Sequence, residues 1–137
     1  MKRDGSLYEQ IFFAEALKHG LEVFPPLGDY LPVDCLIMNA AGRVFKVQIK
    51  GTAKPSIEGR GKPRYIVTTS FGTSKKTTID CTKVDIVVAY LSDINLFYII
   101  PCMALDGAKR IGLYALNDQS KAKHEKYREA WDLFKTS

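Results

Sequence analysis

The sequence contains few residues of the types that bind zinc or catalyse redox chemistry. It has three cysteines, Cys35, Cys81 and Cys102, and two histidines, His19 and His124, with no Cys-x-x-Cys pair. This wide spacing argues against a Cys/His zinc site. Three separated cysteines predict free, partly buried thiols, which are typical of a reducing compartment. We therefore expect a cytoplasmic protein.

Long hydrophobic runs are also missing. The longest apolar stretches, such as residues 84–91, are far shorter than the roughly 20 residues that a membrane-spanning helix needs. The charged N-terminus is not followed by the apolar segment and cleavage site of a signal peptide. We expect no membrane partner.

What is present is an ordinary globular composition. The 137 residues are 46% hydrophobic and 26% charged, which excludes disorder, collagen and a pure coiled coil. A chain of this length predicts one domain over residues 1–137. The formal net charge of +5 suggests a polyanionic partner without establishing one.

The order of elements predicts a mixed α/β domain. We expect an N-terminal helix, a mostly antiparallel central sheet and a C-terminal helix. Ser6 is a suitable N-cap for the first helix, and Gly20 is a suitable end. The predicted helices span residues 7–19 and 121–135, and the predicted strands span residues 22–25, 33–39, 43–50, 65–70, 84–91, 96–101 and 110–116.

Glu9 lies on the apolar face of the first predicted helix. At about 100° per residue, Phe12, Phe13 and Ala16 fall within about 60° of it. A carboxylate there is costly to bury without a partner. One interpretation is a capping box with Ser6, because the two residues have the S-x-x-E spacing. The other is a carboxylate of an acidic metal site.

The predicted hairpin at residues 33–50 has one apolar and one polar face. A three-residue loop pairs Asn39 with Arg43, which places Asp34 directly opposite Gln48. Because side chains alternate along a strand, Lys50 shares the face of Gln48 and Asp34. The polar face therefore gathers a carboxylate, an amide and an ammonium near the strand ends.

This grouping suits phosphodiester hydrolysis, which needs a divalent cation to neutralise developing charge and activate water. Asp34 would be the main metal ligand, joined by the Gln48 amide oxygen, the Ile49 backbone carbonyl and Glu9. Lys50 would orient the water or stabilise the transition state. The alternative is an ordinary amphipathic hairpin whose polar face is merely solvated.

The same residues resemble the motif of the PD-(D/E)XK nuclease superfamily. Residues 32–34 read Pro-Val-Asp, and after thirteen residues 48–50 read Gln-Ile-Lys, with Gln48 in place of the usual acid. Residues 5–20 resemble the opening helix of that superfamily. Residues 84–101 and Trp131 are similar to its cyanobacterial group I intron homing endonuclease branch, where Gln-x-Lys occurs. The chain is also similar, less closely, to archaeal Holliday-junction resolvases.

This resemblance implies a restriction-endonuclease-like core and a DNA endonuclease dependent on Mg²⁺, for which Mn²⁺ can substitute. Asp34, Gln48, Lys50 and Glu9 would be its catalytic residues, and one site per subunit implies a homodimer or homotetramer. A neutral amide at position 48 holds a cation less strongly than a carboxylate. Two alternatives are a catalytically inactive DNA-binding relative and a structural or interaction protein.

The positive charge is concentrated beside this motif. Residues 50–83 hold eight basic and two acidic side chains, whereas the rest of the chain holds 12 basic and 13 acidic ones. The segment that begins at Lys50 thus predicts a phosphate-binding flank. Its candidate DNA-binding residues are Lys54, Arg60, Lys62, Arg64, Lys75 and Lys76.

Overall fold

The computed structural model describes residues 2–28, 31–57, 62–71, 77–117 and 120–136. Helix α1 spans Lys2–Lys18. The strands are β1 (Glu22–Phe24), β2 (Cys35–Met38), β3 (Val44–Thr52), β4 (Tyr65–Thr68), β5 (Ser70–Phe71), β6 (Thr77–Thr78), β7 (Ile86–Leu91), β8 (Leu96–Pro101) and β9 (Arg110–Leu113).

A five-stranded sheet in the order β1–β2–β3–β7–β8 forms the centre of the fold. Neighbouring strands are antiparallel except for β3 and β7, which run parallel. This confirms the predicted mixed, mostly antiparallel sheet. Strand β9 is not an edge strand of that sheet, because it pairs with β4 in a separate two-stranded sheet. Strands β5 and β6 form another short pair.

Two hydrophobic clusters cover the two faces of the central sheet. On one face, Phe12 and Ala16 of α1 are fully buried in the cluster that contains Val47 and Ile49. On the other face, β4 and β9 contribute buried residues to the cluster that contains Val87. Strand β7 is buried along its whole length because it lies between these two layers. That position explains its continuous apolar sequence.

The β2–β3 hairpin has the register that the sequence predicts. Cys35 pairs with Val47, and Met38 pairs with Val44. The Asn39 N–H donates to the Arg43 carbonyl at 3.0 Å and closes the hairpin. Glycine is suited to the turn because Gly42 has a φ of 86°. The register fixes which residues of β3 face α1 and which face away from it.

The start of α1 differs from the prediction. The helix begins at Lys2, so Ser6 lies inside it and does not cap it. Glu9 therefore does not belong to a capping box. Glycine and serine disfavour a helix interior by only about 1 kcal/mol or less per residue, and packing of α1 against the sheet overrides that preference. The predicted end is confirmed: Gly20 has a φ of 78°, and the Leu21 N–H donates to the Ala16 carbonyl.

The predicted C-terminal helix over 121–135 is wrong. The chain instead forms two short 3₁₀ turns, Glu125–Tyr127 and Trp131–Lys135. Between them Glu129 has a φ of 48°, which no α-helix accommodates. Its carboxylate accepts hydrogen bonds from the Phe97 N–H and the Trp131 Nε1–H, and its own N–H donates to the Phe97 carbonyl. These long-range bonds tie the segment to β8 and interrupt the helix.

The prediction of three free thiols is also wrong. Cys81 and Cys102 form a disulfide, and Cys35 is the free, buried cysteine. The two partners are 21 residues apart in sequence, but the fold brings their Cα atoms to 5.6 Å. Among the described residues, no helix has both the length and the apolar composition required to cross a membrane.

Candidate active site

Asp34 lies where the ladder between β2 and β3 ends. Its N–H donates to the Val47 carbonyl at 2.8 Å, and its Oδ2 accepts a hydrogen bond from the Ile49 N–H at 2.6 Å. A continued ladder would pair Ile49 with Val33, so the carboxylate takes the place of the Val33 carbonyl. Asp34 therefore precedes β2 and is not paired with Gln48 in the ladder, in contrast to the prediction from the sequence. Backbone and side chain together hold Asp34 against β3.

The Ile49 carbonyl points toward the same edge of β3 as the Ile49 N–H, which bonds to the Asp34 carboxylate. In a strand, the N–H and C=O of one residue project toward the same neighbouring strand. Because the Ile49 N–H reaches Asp34, the Ile49 C=O also faces the β2 edge. A backbone oxygen is thus available next to the Asp34 carboxylate.

Gln48 and Lys50 lie on the face of β3 opposite α1. Gln48 is buried, with 7% of its surface exposed, and its Oε1 has no hydrogen-bond partner within the described part of the chain. Lys50 is partly buried, and its Nζ donates to the Ser70 carbonyl at 3.3 Å. Strand β5 begins at Ser70, so the site also contacts the short β5–β6 pair.

Glu9 approaches Asp34 from helix α1. The two carboxylate residues line one cleft of about 340 Å³, whose wall includes Pro25 and Pro26. Burial raises the pKa of the neighbouring Cys35 thiol to about 12, and the negative charges of Asp34 and Glu9 add to this effect. Cys35 therefore stays protonated at neutral pH and is unsuited to act as a nucleophile.

These residues fit an oxygen-liganded divalent cation. The cleft supplies two carboxylates, and Gln48 on β3 has a buried amide oxygen with no hydrogen-bond partner among the described residues. Such an oxygen costs about 1–3 kcal/mol when buried unsatisfied, and a bound cation would remove that cost. In the described ranges, no three His, Cys, Asp or Glu side chains are grouped to hold a metal. A complete ligand set therefore depends on neutral oxygens such as those of Gln48 and Ile49.

The structure describes three of the six predicted DNA-binding residues. Lys54, Lys62 and Arg64 are exposed. Arg64 also forms a backbone bridge with Ser56, which closes the base of the loop that follows β3. The predictions for Arg60, Lys75 and Lys76 lie outside the described residues.

The structure shows a close contact between α1 and β3 that the sequence did not predict. The ring of Tyr8 lies directly over Gly51, where an added Cβ would come within 2.5 Å of the Tyr8 ring carbons. Tyr8 precedes Glu9, and Gly51 follows Lys50, so this contact joins the sequence neighbours of two candidate site residues. The predicted strand ended at residue 50, whereas β3 extends to Thr52 and therefore includes Gly51. A glycine inside a strand often marks a close approach of another group.

We expect Gly51→Ala to destabilise the protein by about 1–3 kcal/mol, because Tyr8 must move to make room for the methyl group. Denaturant unfolding measures this change. Gly112→Ala is the matched control, since its Cβ would meet only the flexible end of Arg64 at 3.1 Å. Equal stability of the two variants would contradict the proposed role of the Tyr8 contact.

The fold and this group of residues define a nuclease class, and comparison with known proteins agrees. The sequence profile described as PD-(D/E)XK endonuclease matches residues 1–134. The chain therefore belongs to the PD-(D/E)XK endonuclease family and is a nuclease with a restriction-endonuclease-like fold. This confirms the predicted fold and nuclease function.

A solved structure of a bacterial homing endonuclease, I-Ssp6803I, is similar to this chain. The two share 27% sequence identity with a TM-score of 0.80, over 97% of this chain and 91% of that one. A search of curated proteins finds no significant match. The structural match confirms the resemblance to homing endonucleases.

Proposed function

We propose that the chain is a DNA endonuclease that uses a divalent cation, Mg²⁺ or Mn²⁺, held by Asp34, Glu9, the Gln48 amide oxygen and the Ile49 carbonyl. The cation would neutralise the negative charge that develops on the phosphodiester as water attacks. The family supports DNA as the substrate and divalent metals as the cofactor class.

In this proposal the protein residues have separate tasks. Asp34 is immobilised by its bonds to Val47 and Ile49, so its carboxylate is held in position before the substrate arrives. The Lys50 ammonium, oriented by the Ser70 carbonyl, stabilises charge on the reacting phosphate or orients the water. Glu9 contributes a second carboxylate from α1.

The observation that carries the proposal is the buried Gln48 Oε1 without a hydrogen-bond partner among the described residues. Nearly all buried side-chain oxygens in proteins are hydrogen-bonded, so an exception calls for an explanation such as an ion. Gln48 directly precedes Ile49, whose N–H bonds to the Asp34 carboxylate, and it pairs with Val87 of β7. A cation bound to the carboxylates would supply the missing partner.

Gln48→Leu tests this assignment, because leucine has a similar size but no oxygen. We expect Mn²⁺ binding, measured by calorimetry without DNA, to weaken at least about tenfold. Without metal, the free energy of unfolding should fall by no more than about 1 kcal/mol, and it can rise. The reason is that the variant removes an unsatisfied buried group.

Gln48→Glu is the complementary variant. A carboxylate binds a hard cation more strongly than an amide does, so Mn²⁺ binding should tighten and cleavage should persist. Unchanged Mn²⁺ affinity in both Gln48 variants would show that this residue is not a ligand.

The similarity to I-Ssp6803I supports a homing endonuclease as the more specific function. A Holliday-junction resolvase stays a prediction from the sequence. Cleavage of linear duplexes and of four-way junctions by the same preparation distinguishes the two. A homing endonuclease should cut a defined duplex sequence, whereas a resolvase should require the branch.

We further propose one nuclease domain that assembles as a homodimer or homotetramer. Both hydrophobic clusters pack on the same central sheet, which supports a single domain. Strand β1 lies at the sheet edge, and Phe24, Leu31 and Leu36 beside it expose apolar surface around a cleft of about 310 Å³. Such a surface suits contact with a second copy, which sedimentation equilibrium would detect.

We propose that the protein acts in the cytoplasm, on the basis of its expected DNA substrate. The cysteines no longer add support, because Cys81 and Cys102 form a disulfide.

A further inference from the structure

A second basic feature lies outside the candidate active site, in the segment that was predicted to be helical. Among the described residues, Asn117, Ser120 and side chains from Lys121 to Arg128 line a cleft of about 680 Å³. Lys121, Lys123 and Lys126 are exposed and line it, and so does the partly buried Arg128. This volume and lining suit a phosphate group with part of its sugar backbone.

Among the described residues, one carboxylate lies beside these three lysines. Glu125 is the only carboxylate among the described residues that line the cleft. It is engaged elsewhere, because it forms an ion pair with Arg128 at 3.0 Å and accepts a hydrogen bond from the Tyr98 hydroxyl at 2.9 Å. Within the described ranges, Lys121, Lys123 and Lys126 have no ion pair.

The frame of the cleft is fixed to the protein core. The Glu125 carboxylate also accepts the Tyr114 N–H at 3.1 Å, and Arg128 forms a backbone bridge with Tyr98 of β8. Next to it His124 is buried; burial lowers its pKa, and the positive charge of Lys123 adds to that shift. The lysines therefore extend from a rigid base and create a positive potential.

The sheet register relates this cleft to the candidate active site. Lys50 pairs with Ala89, and Ala89 pairs with Tyr98, so the three residues form one row across β3, β7 and β8. Strands lie about 4.8 Å apart, which puts Tyr98 about 10 Å from Lys50. Glu125, which lines the cleft, accepts a hydrogen bond from the Tyr98 hydroxyl at 2.9 Å. Both positions therefore fall within one turn of B-DNA, about 34 Å.

We propose that this basic cleft binds phosphate groups of the DNA backbone, at a position separate from the site of cleavage. The inference rests on the proposed DNA substrate. The contacts are to phosphate and carry no sequence information, so they would position the duplex against Asp34 and Lys50 and would not select its sequence. Three lysines of the C-terminal segment would thus add to the positive charge that residues 50–83 offer to DNA.

The test is the salt dependence of duplex DNA binding, measured by fluorescence anisotropy in EDTA so that no cleavage occurs. In Lys121→Gln/Lys123→Gln, the slope of log K against log salt concentration should fall by about 1.8, since each phosphate contact contributes about 0.9. At about 0.1 M salt the Kd should rise roughly 60-fold, because the slope difference of about 1.8 acts over one decade below 1 M. Thermal melting should be unchanged, because both lysines are exposed.

Lys18→Gln/Lys135→Gln is the control with the same change in charge. Lys18 is at the end of α1, and Lys135 is in the last 3₁₀ turn, where they pair with Glu15 and Asp132. If the slope of log K against log salt concentration is reduced only in Lys121→Gln/Lys123→Gln, the proposal is supported. Equal slopes in both variants, with cleavage retained, would contradict the proposed phosphate binding by the cleft. They would not affect the proposed nuclease function. Absence of DNA binding by the unmodified protein at low salt would overturn both.

Discussion

Asp34→Asn is expected to reduce divalent-metal-dependent DNA cleavage about a thousandfold or more, a loss typical of removing a central catalytic group. Asparagine has nearly the same shape, and its amide oxygen can still accept the Ile49 N–H that now bonds to the carboxylate. The negative charge that would hold the cation is lost. The free energy of unfolding should change by only about 1 kcal/mol, the difference between a charged and a neutral acceptor.

Asp132→Asn is the matched control for this variant. Asp132 has a side chain that is 95% exposed and pairs with Lys135 at 3.6 Å, far from the hairpin in sequence. It removes the same charge and should keep the cleavage rate of the unmodified protein. Comparable cleavage by Asp34→Asn and Asp132→Asn would remove Asp34 from the catalytic residues.

Lys50→Met should also abolish most cleavage, by a factor of about 100 to 1000, which is typical for loss of one group that stabilises transition-state charge. Methionine keeps most of the aliphatic length but cannot donate to the Ser70 carbonyl or approach a phosphate as a cation. DNA binding should weaken much less than the cleavage rate. Single-turnover cleavage and anisotropy measured on one duplex separate the two effects.

The chain offers a close control for Lys50 on the same strand and the same face. Lys46 lies four residues earlier in β3, and its Nζ donates to the Thr82 carbonyl at 2.8 Å. Lys46→Met therefore removes the same ammonium and an equivalent bond to a backbone carbonyl. It should cleave DNA normally, and an equal loss in the two variants would mean that Lys50 acts only through structure.

The hairpin was predictable because local rules determine it. Gly42 in the turn and the alternation of apolar residues fix the pairing of Cys35 with Val47, and that register orients Gln48 and Lys50. The sequence also placed Glu9 on the apolar face of α1, where a carboxylate is costly to bury without a partner. These features depend on residues close together in sequence.

The features that were missed depend on contacts between distant segments. The C-terminal helix was predicted from the spacing of Trp131 and Phe134, but the bonds of Glu129 to Phe97 interrupt it. The parallel pairing of β3 with β7 and the Cys81–Cys102 disulfide likewise arise only when the chain folds. The basic cleft was not predicted because the C-terminal segment was expected to be a helix. A helix would have spread the lysines over several faces.

Cleavage of a high-complexity duplex DNA library tests the central claim most directly, because the recognition sequence need not be chosen in advance. The library is incubated with the unmodified protein or with Asp34→Asn, in Mg²⁺, Mn²⁺ or EDTA, and newly formed ends are ligated and sequenced. New ends are expected only with the unmodified protein and a divalent metal. Ends that form equally in EDTA or with Asp34→Asn, or no ends under any condition, would contradict the claim.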